Sequence, residues 1–185
     1  MRSAILGPVL TAAAALALTA AAPGAPARAA TTASPVLVAS CTATISGTYT
    51  SPLDPGGTNA QQADMIQQTG NVTCVDDAGQ PLVRGAMTRT TILPAAQCSG
   101  IAYSDPSTTT INWTDGTTTS LTLDQANVVS VLGAASTTGT GTVTTNSTKF
   151  AGDSIDGAVM GTGPGCGTPA GQTTVNSTVV FTLAH

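Results

Sequence analysis

The sequence predicts an all-β fold: an antiparallel, immunoglobulin-like β-sandwich of about nine strands with two disulfides. The first observation is a series of short segments in which apolar and polar residues alternate with period 2, separated by turn residues. The second is composition, because threonine, glycine and valine are abundant whereas glutamate is absent and lysine occurs once. The third is the presence of four cysteines in a chain that begins with an export signal.

The first 29 residues have the features of a signal peptide. Arg2 supplies the positive charge, residues 4–22 form an apolar stretch, and Ala27-Arg28-Ala29 provides the small-x-small cleavage motif. Cleavage leaves a leader over residues 30–40 and a single domain over residues 41–185. We therefore predict a secreted, extracellular protein that has no membrane attachment after cleavage.

The mature chain is acidic. Arg84, Arg89 and Lys149 stand against nine aspartates, which gives a net charge of −6. A nucleic-acid-binding protein needs a basic face that displaces counterions from phosphates, and three cations cannot provide one. Anionic membrane surfaces are disfavoured for the same reason. The expected partner is therefore an extracellular molecule, which the sequence does not identify.

Alternation is clearest over residues 41–49 and 175–183. A β-hairpin is predicted over residues 111–123, with a type I′ turn at Asp115-Gly116 that requires positive φ at both positions. The other predicted strands cover residues 66–74, 82–92, 128–132, 139–150 and 155–160.

The four cysteines are expected to form two structural disulfides, for which three connectivities are possible. If the strands that carry Cys41 and Cys74 pair as an antiparallel hairpin, these two residues can face each other, and Cys98 is left to pair with Cys166. The cysteine spacing matches no zinc site, and we predict no metal and no cofactor.

The sequence contains no recognisable catalytic machinery. The single histidine, His185, is the last residue, and we do not expect a free terminus to be oriented as a catalytic histidine must be. Most aspartates lie in turns, where the side chain caps its own backbone. Pairs of aspartates nevertheless leave open the possibility of an Asp-dependent hydrolase. A calcium site at Asp76-Asp77 or at Asp153 with Asp156 also stays open, although the sequence has no EF-hand pattern. The nine aspartates of the chain are Asp54, Asp64, Asp76, Asp77, Asp105, Asp115, Asp124, Asp153 and Asp156.

The aromatic residues offer two interpretations. Trp113 shares strand parity with Ile111, which favours packing in the core. The alternative is an exposed ligand platform formed by Trp113 and Tyr103, of the kind that sugar-binding sandwiches present.

Four short motifs carry a resemblance. They are Cys41-Thr-Ala-Thr, Val72-Thr-Cys74, Trp113-x-Asp-Gly-Thr-Thr-Thr-Ser120 and Phe150-Ala-Gly-Asp153. On these the chain, over residues 41–183, resembles small secreted β-sandwich proteins of actinobacteria whose function is unassigned. This resemblance implies compartment and fold but no reaction.

The composition is also similar to that of the chromoprotein apoproteins of actinobacteria, of the neocarzinostatin type, although their disulfides close short loops. We therefore predict a secreted, non-catalytic binding or surface module of unknown ligand, with a small-molecule carrier as the alternative. A large apolar cavity would favour the carrier, whereas two carboxylates about 5–10 Å apart in an open cleft would favour the hydrolase.

Overall fold

The computed structural model describes residues 36–185, which form ten β-strands and no helix. The predicted signal peptide (1–29) and residues 30–35 of the predicted leader lie outside the described residues. The strands are β1 (Leu37–Leu53), β2 (Gln62–Val75), β3 (Pro81–Ala96), β4 (Gly100–Ala102), β5 (Ser107–Trp113), β6 (Thr118–Gln125), β7 (Val128–Val131), β8 (Ala134–Val143), β9 (Ser154–Thr162) and β10 (Gln172–Ala184). Within this part of the chain no helix has the length and apolarity needed to cross a membrane.

All ten strands belong to one sheet, and that sheet closes on itself. Eight strands pair antiparallel in chain order, β1-β2-β3-β5-β6-β8-β9-β10, and β10 then pairs with β1. Strands β7 and β4 extend the sheet beside the beginning of β8. The predicted all-β, antiparallel class is confirmed. The predicted immunoglobulin-like sandwich, which would consist of two packed sheets, is wrong. The strands form one sheet that closes into an eight-stranded up-and-down barrel.

Glycine allows neighbouring strands of the barrel to approach closely. A Cβ atom on Gly70 would lie 2.0 Å from the carbonyl oxygen of Thr44, and one on Gly141 would lie 2.1 Å from that of Thr122. Any side chain at these two positions would push the strands apart. Glycines at such positions favour the bending that barrel closure requires.

The alternating residues fill the barrel with two apolar clusters. The main cluster contains Trp113, which is 4% exposed and packs edge-on against Phe150 with ring centroids 5.9 Å apart. Its indole Nε1 donates a hydrogen bond of 2.8 Å to Thr119 Oγ1. The core interpretation of Trp113 is thus confirmed and the platform interpretation is wrong for it, whereas Tyr103 is 72% exposed.

The second cluster lies around the ends of β1 and β3 and the start of β10. Its buried members are Leu53, Ile66, Leu93, Ala96, Cys98, Val128 and Val175. The disulfide Cys98–Cys166 lies here and joins the loop after β3 to the loop before β10. The other disulfide, Cys41–Cys74, joins directly facing residues of β1 and β2, as the register argument predicts.

Several strand limits differ from the predictions. Strand β1 begins at Leu37, inside the predicted leader, and β8 covers residues 134–143 rather than 139–150. The β5–β6 hairpin forms, but its turn is not type I′: Trp113 O accepts from Gly116 N at 3.1 Å, and only Gly116 has positive φ. The short strand β4 has no counterpart among the predicted strands.

Candidate functional site

A pocket lies inside the barrel against the second cluster. The volume open to the centre of a water molecule is about 50 Å³. We call this space the barrel pocket. Its lining consists of Tyr49, Leu53, Ile66, Gln68, Arg89, Thr91, Leu93, Ala96, Gln97, Ala102, Gln125, Val128, Ser130, Ala135, Ser136, Thr137, Val159, Gly161, Val175 and Ser177.

Strand parity carries three polar side chains into the barrel. Gln68 follows the inward Ile66 on β2, Arg89 follows the inward Met87 on β3, and Ser177 lies among inward residues of β10. Successive side chains of a strand point to opposite faces, so these positions must face the interior when their apolar neighbours do. The register then places Gln68 directly opposite Arg89.

The three side chains form one hydrogen-bonded chain. Arg89 Nη1 donates to Gln68 Oε1 at 2.7 Å, and Gln68 Nε2 donates to Ser177 Oγ at 2.8 Å. All three residues are buried, with Arg89 6% exposed. The chain fixes the position of the guanidinium in the barrel, because each of its two links is short and withdrawn from water.

The pocket also holds buried polar atoms that have no partner. Five buried side-chain atoms lack a hydrogen-bond partner among the described residues, and three of them belong to residues that line the barrel pocket: Arg89 Nε, Thr91 Oγ1 and Gln125 Nε2. Arg89 Nε and the Thr91 hydroxyl can each donate a hydrogen bond. Unsatisfied buried polar groups are rare in folded proteins and are commonly associated with a missing water, ion or ligand.

No acidic side chain among residues 36–185 lines the pocket beside Arg89. Among the described residues that line the pocket, Arg89 is the one charged side chain and none is a carboxylate. Burial lowers the pKa of Arg89 well below its usual value, to about 10. At the mouth, burial and, secondarily, the charge of Asp64 raise the pKa of Tyr49 to about 12. At neutral pH the pocket lining therefore carries one positive charge, that of Arg89, while the buried carboxylate of Asp64 lies near Tyr49 on the same face of β2 as Gln68.

Several aspartates accept hydrogen bonds from backbone N–H groups, either across strands or within a turn. Asp64 accepts hydrogen bonds from the backbone N–H groups of Thr50 and Ser51 at 2.8 and 2.9 Å, which holds the end of β1 against β2. Asp76 accepts from two backbone N–H groups of the β2–β3 turn, and Asp115 accepts from Thr117 N. The turn interpretation is confirmed for Asp76 and Asp115.

Two aspartates share an open groove on the outer face of the barrel. Asp124 and Asp156 both line it and flank Thr140, which is paired with each of them on adjacent strands. Two strand spacings separate their backbones by about 10 Å. Both carboxylates are exposed, so nothing in the groove withdraws one of them from water as a general acid requires.

His185 is oriented, contrary to expectation. Its backbone pairs with Val36 through two hydrogen bonds of 3.0 Å, and its ring Nδ1 lies 2.8 Å from Oδ1 of the buried Asp153. The neighbouring hydroxyl of Ser154 donates to the carbonyl of Ala184 instead of to the imidazole. Within residues 36–185 the pair is thus an Asp–His contact without an associated nucleophile.

None of the described residues form a group of three histidine, cysteine or acidic side chains that could hold a metal ion. Asp153 is buried whereas Asp156 is exposed, so these two do not share a face. No protein-family model matches the chain, and neither a curated protein nor a solved structure is significantly similar to it. The candidate site therefore depends on its own geometry.

The sequence interpretation did not single out the residues of the barrel pocket. Gln68, Arg89 and Thr91 were missed, although each shares strand parity with apolar neighbours. That parity was the available signal: a charged residue at an inward position of a strand, in a chain with few cations, is a candidate for a buried functional group.

Proposed function

We propose that the protein is an exported, non-catalytic carrier or binding module that takes a small organic molecule into the barrel pocket. The observation that carries this proposal is a pocket with an apolar wall whose lining residues hold buried polar atoms without partners. An eight-stranded barrel has an interior wide enough for one small ligand. Ligand sites combine a mostly apolar lining with a few convergent polar groups, which is the composition found here.

Two features of the chain support export. The N-terminal residues have the pattern of a signal peptide. Both cysteine pairs are disulfides, which persist in oxidising compartments. A carrier that works outside the cell gains from such cross-links, because they restrict the unfolded chain.

The carrier is favoured over a hydrolase by burial. The exposed carboxylates of the outer groove have no hydrophobic pocket around them, and the Asp153–His185 contact has no associated hydroxyl. The polar groups of the barrel pocket, by contrast, are already withdrawn from water. They can therefore bind a ligand without a large additional cost of desolvation.

NMR titration tests the carrier function. The probes are linear C6 molecules with one polar head: hexanol, hexanamide, hexylamine and hexanoate. We expect at least one of them to shift the backbone amides of pocket residues. Ala135→Leu should abolish these shifts, because the half-buried Ala135 lines the pocket, whereas Ala134→Leu on the exposed side of the same strand should retain them.

The proposal is wrong if none of the four probes shifts pocket amides. It is also wrong if the shifts persist unchanged in Ala135→Leu, because binding would then occur elsewhere on the barrel.

A further inference from the structure

The ligand class can be deduced from the polar atoms of the barrel pocket. We propose, resting on the carrier function above, that the ligand is a monocarboxylate with a short apolar body, whose carboxylate pairs with Arg89. The body then lies against the apolar side chains of the second cluster that line the same pocket.

The first argument is the direction of the unpartnered hydrogen bonds. Arg89 Nε is a donor only, and the Thr91 hydroxyl has its proton free. The Ser177 oxygen already accepts from Gln68, so its hydrogen is also available for donation. A ligand that satisfies these donors must present acceptors, and a carboxylate presents two oxygens with about four lone-pair directions.

The second argument is geometric. Gln68 occupies Nη1 of Arg89, and no hydrogen bond to a described residue occupies its Nε edge, formed by Nε and Nη2. That edge is a fork of two parallel N–H groups, which matches the two oxygens of a carboxylate. Gln68 thus orients the guanidinium by one nitrogen and leaves the buried Nε without a partner.

The third argument is charge. A single buried cation is neutralised by a single negative charge, and the pocket lining offers no acidic side chain to supply it. A dianion would leave one net charge in a poorly solvated space, and an amine would add a second positive charge. The site therefore favours a monoanion over a phosphate monoester, an amine or a neutral head group.

The fourth argument is size. The space open to the centre of a water molecule, about 50 Å³, is several times the minimum of roughly 10–15 Å³ that one water needs. It accommodates a carboxylate and a slim aliphatic or small aromatic body, but not a large ring system. The surrounding wall of Leu53, Ile66, Leu93 and Val175 is buried and apolar, which suits a hydrocarbon rather than a sugar.

Calorimetric titration with matched C6 ligands tests this assignment. We expect hexanoate to bind wild-type protein about ten- to a hundred-fold more tightly than hexanamide, because a hydrogen bond to a charged group is stronger than a neutral one. Hexyl phosphate should bind more weakly than hexanoate. In Arg89→Met the preference for hexanoate should disappear, while Arg84→Met, an exposed arginine on the same strand, should retain it.

Thr91→Val is a second test that keeps the charge and the side-chain shape. It should weaken hexanoate binding several-fold while leaving the affinity for hexanamide less affected. The variant removes one of the unpartnered donors without opening a cavity.

The outcomes separate the two proposals. Equal binding of hexanoate and hexanamide, or a preference that survives Arg89→Met, overturns the carboxylate assignment but leaves the carrier function intact. Tighter binding of hexyl phosphate than of hexanoate overturns the proposal that the pocket prefers a monoanion. Binding of none of the C6 ligands contradicts both proposals.

Discussion

Replacing Arg89 by methionine should leave the ligand-free protein as stable as the wild type, or more stable. Burial lowers the pKa of Arg89 from its usual value to about 10. This fall corresponds to about 3 kcal/mol of lost solvation, at about 1.4 kcal/mol per pKa unit. Methionine is flexible and uncharged, so it can fill the space of the arginine stem without this cost. Removing an unpaired buried charge is therefore favourable.

One contact acts in the opposite direction. Gln68 Oε1 loses its donor when Arg89 is removed, and an unsatisfied buried acceptor costs about 1–3 kcal/mol. The two effects leave a net change between zero and about 2 kcal/mol of stabilisation, by the difference of these estimates. A group kept for binding at the expense of stability is expected at functional sites.

Urea denaturation at pH 7 measures this change, with Arg84→Met as the control. Arg84 lies on the outward face of β3 and is exposed, so its substitution should alter the free energy of unfolding by no more than about 0.5 kcal/mol. The reasoning is refuted if Arg89→Met destabilises the protein by about 3 kcal/mol or more while the control does not. Arg89 would then be a structural residue that the fold requires.

Three further predictions concern the core, the disulfide and a cap. Trp113→Ala should destabilise the protein by about 3–5 kcal/mol, and wild-type tryptophan emission should be blue-shifted and poorly quenched by iodide; red-shifted, readily quenched emission would contradict its burial. Replacing Cys98 and Cys166 together by alanine should lower the free energy of unfolding by about 4 kcal/mol and weaken binding in the adjacent pocket, and unchanged affinity would show that the cross-link does not shape the site. Asp64→Asn should cost about 1–3 kcal/mol in the same denaturation assay, because its carboxylate accepts two backbone hydrogen bonds, whereas Asp77→Asn, at an exposed turn, should cost far less.

The strands could largely be predicted because their signal is local. Alternation over residues 41–49 and 175–183 identifies inward and outward faces directly, and the structure buries the expected set. The Cys41–Cys74 pairing followed from register alone, since facing residues of a hairpin are fixed by their numbering. The hairpin at Gly116 was also found, although its turn has positive φ at one residue instead of two.

Closure of the sheet could not be predicted from the same pattern. A barrel and a sandwich both bury every second residue of each strand, so period 2 does not distinguish them. The contact that decides between them is the pairing of β8 with β9, from Ala134 with Thr162 to Thr142 with Ser154. This pairing depends on how all eight strands coil together.

The polar interior was missed for a different reason. Arg89 was counted only as a cation and Gln68 was not singled out, and neither residue type is usually buried. Their inward parity was present in the sequence, but their convergence needed the register between β2 and β3 and the contact with β10. His185 shows the same effect, because its contact with Asp153 arises from the β9–β10 pairing.

The most direct test of the carboxylate-binding pocket is the NMR signal of the Arg89 side-chain Nε–H during titration with hexanoate. Residues 36–185 contain two arginines, so the exposed Arg84 provides an internal reference in the same spectrum. We expect the Arg89 Nε–H signal to shift and saturate with hexanoate, to shift little with hexanamide, and the Arg84 signal to stay unchanged. An Arg89 signal that hexanoate leaves in place would contradict a carboxylate at this guanidinium.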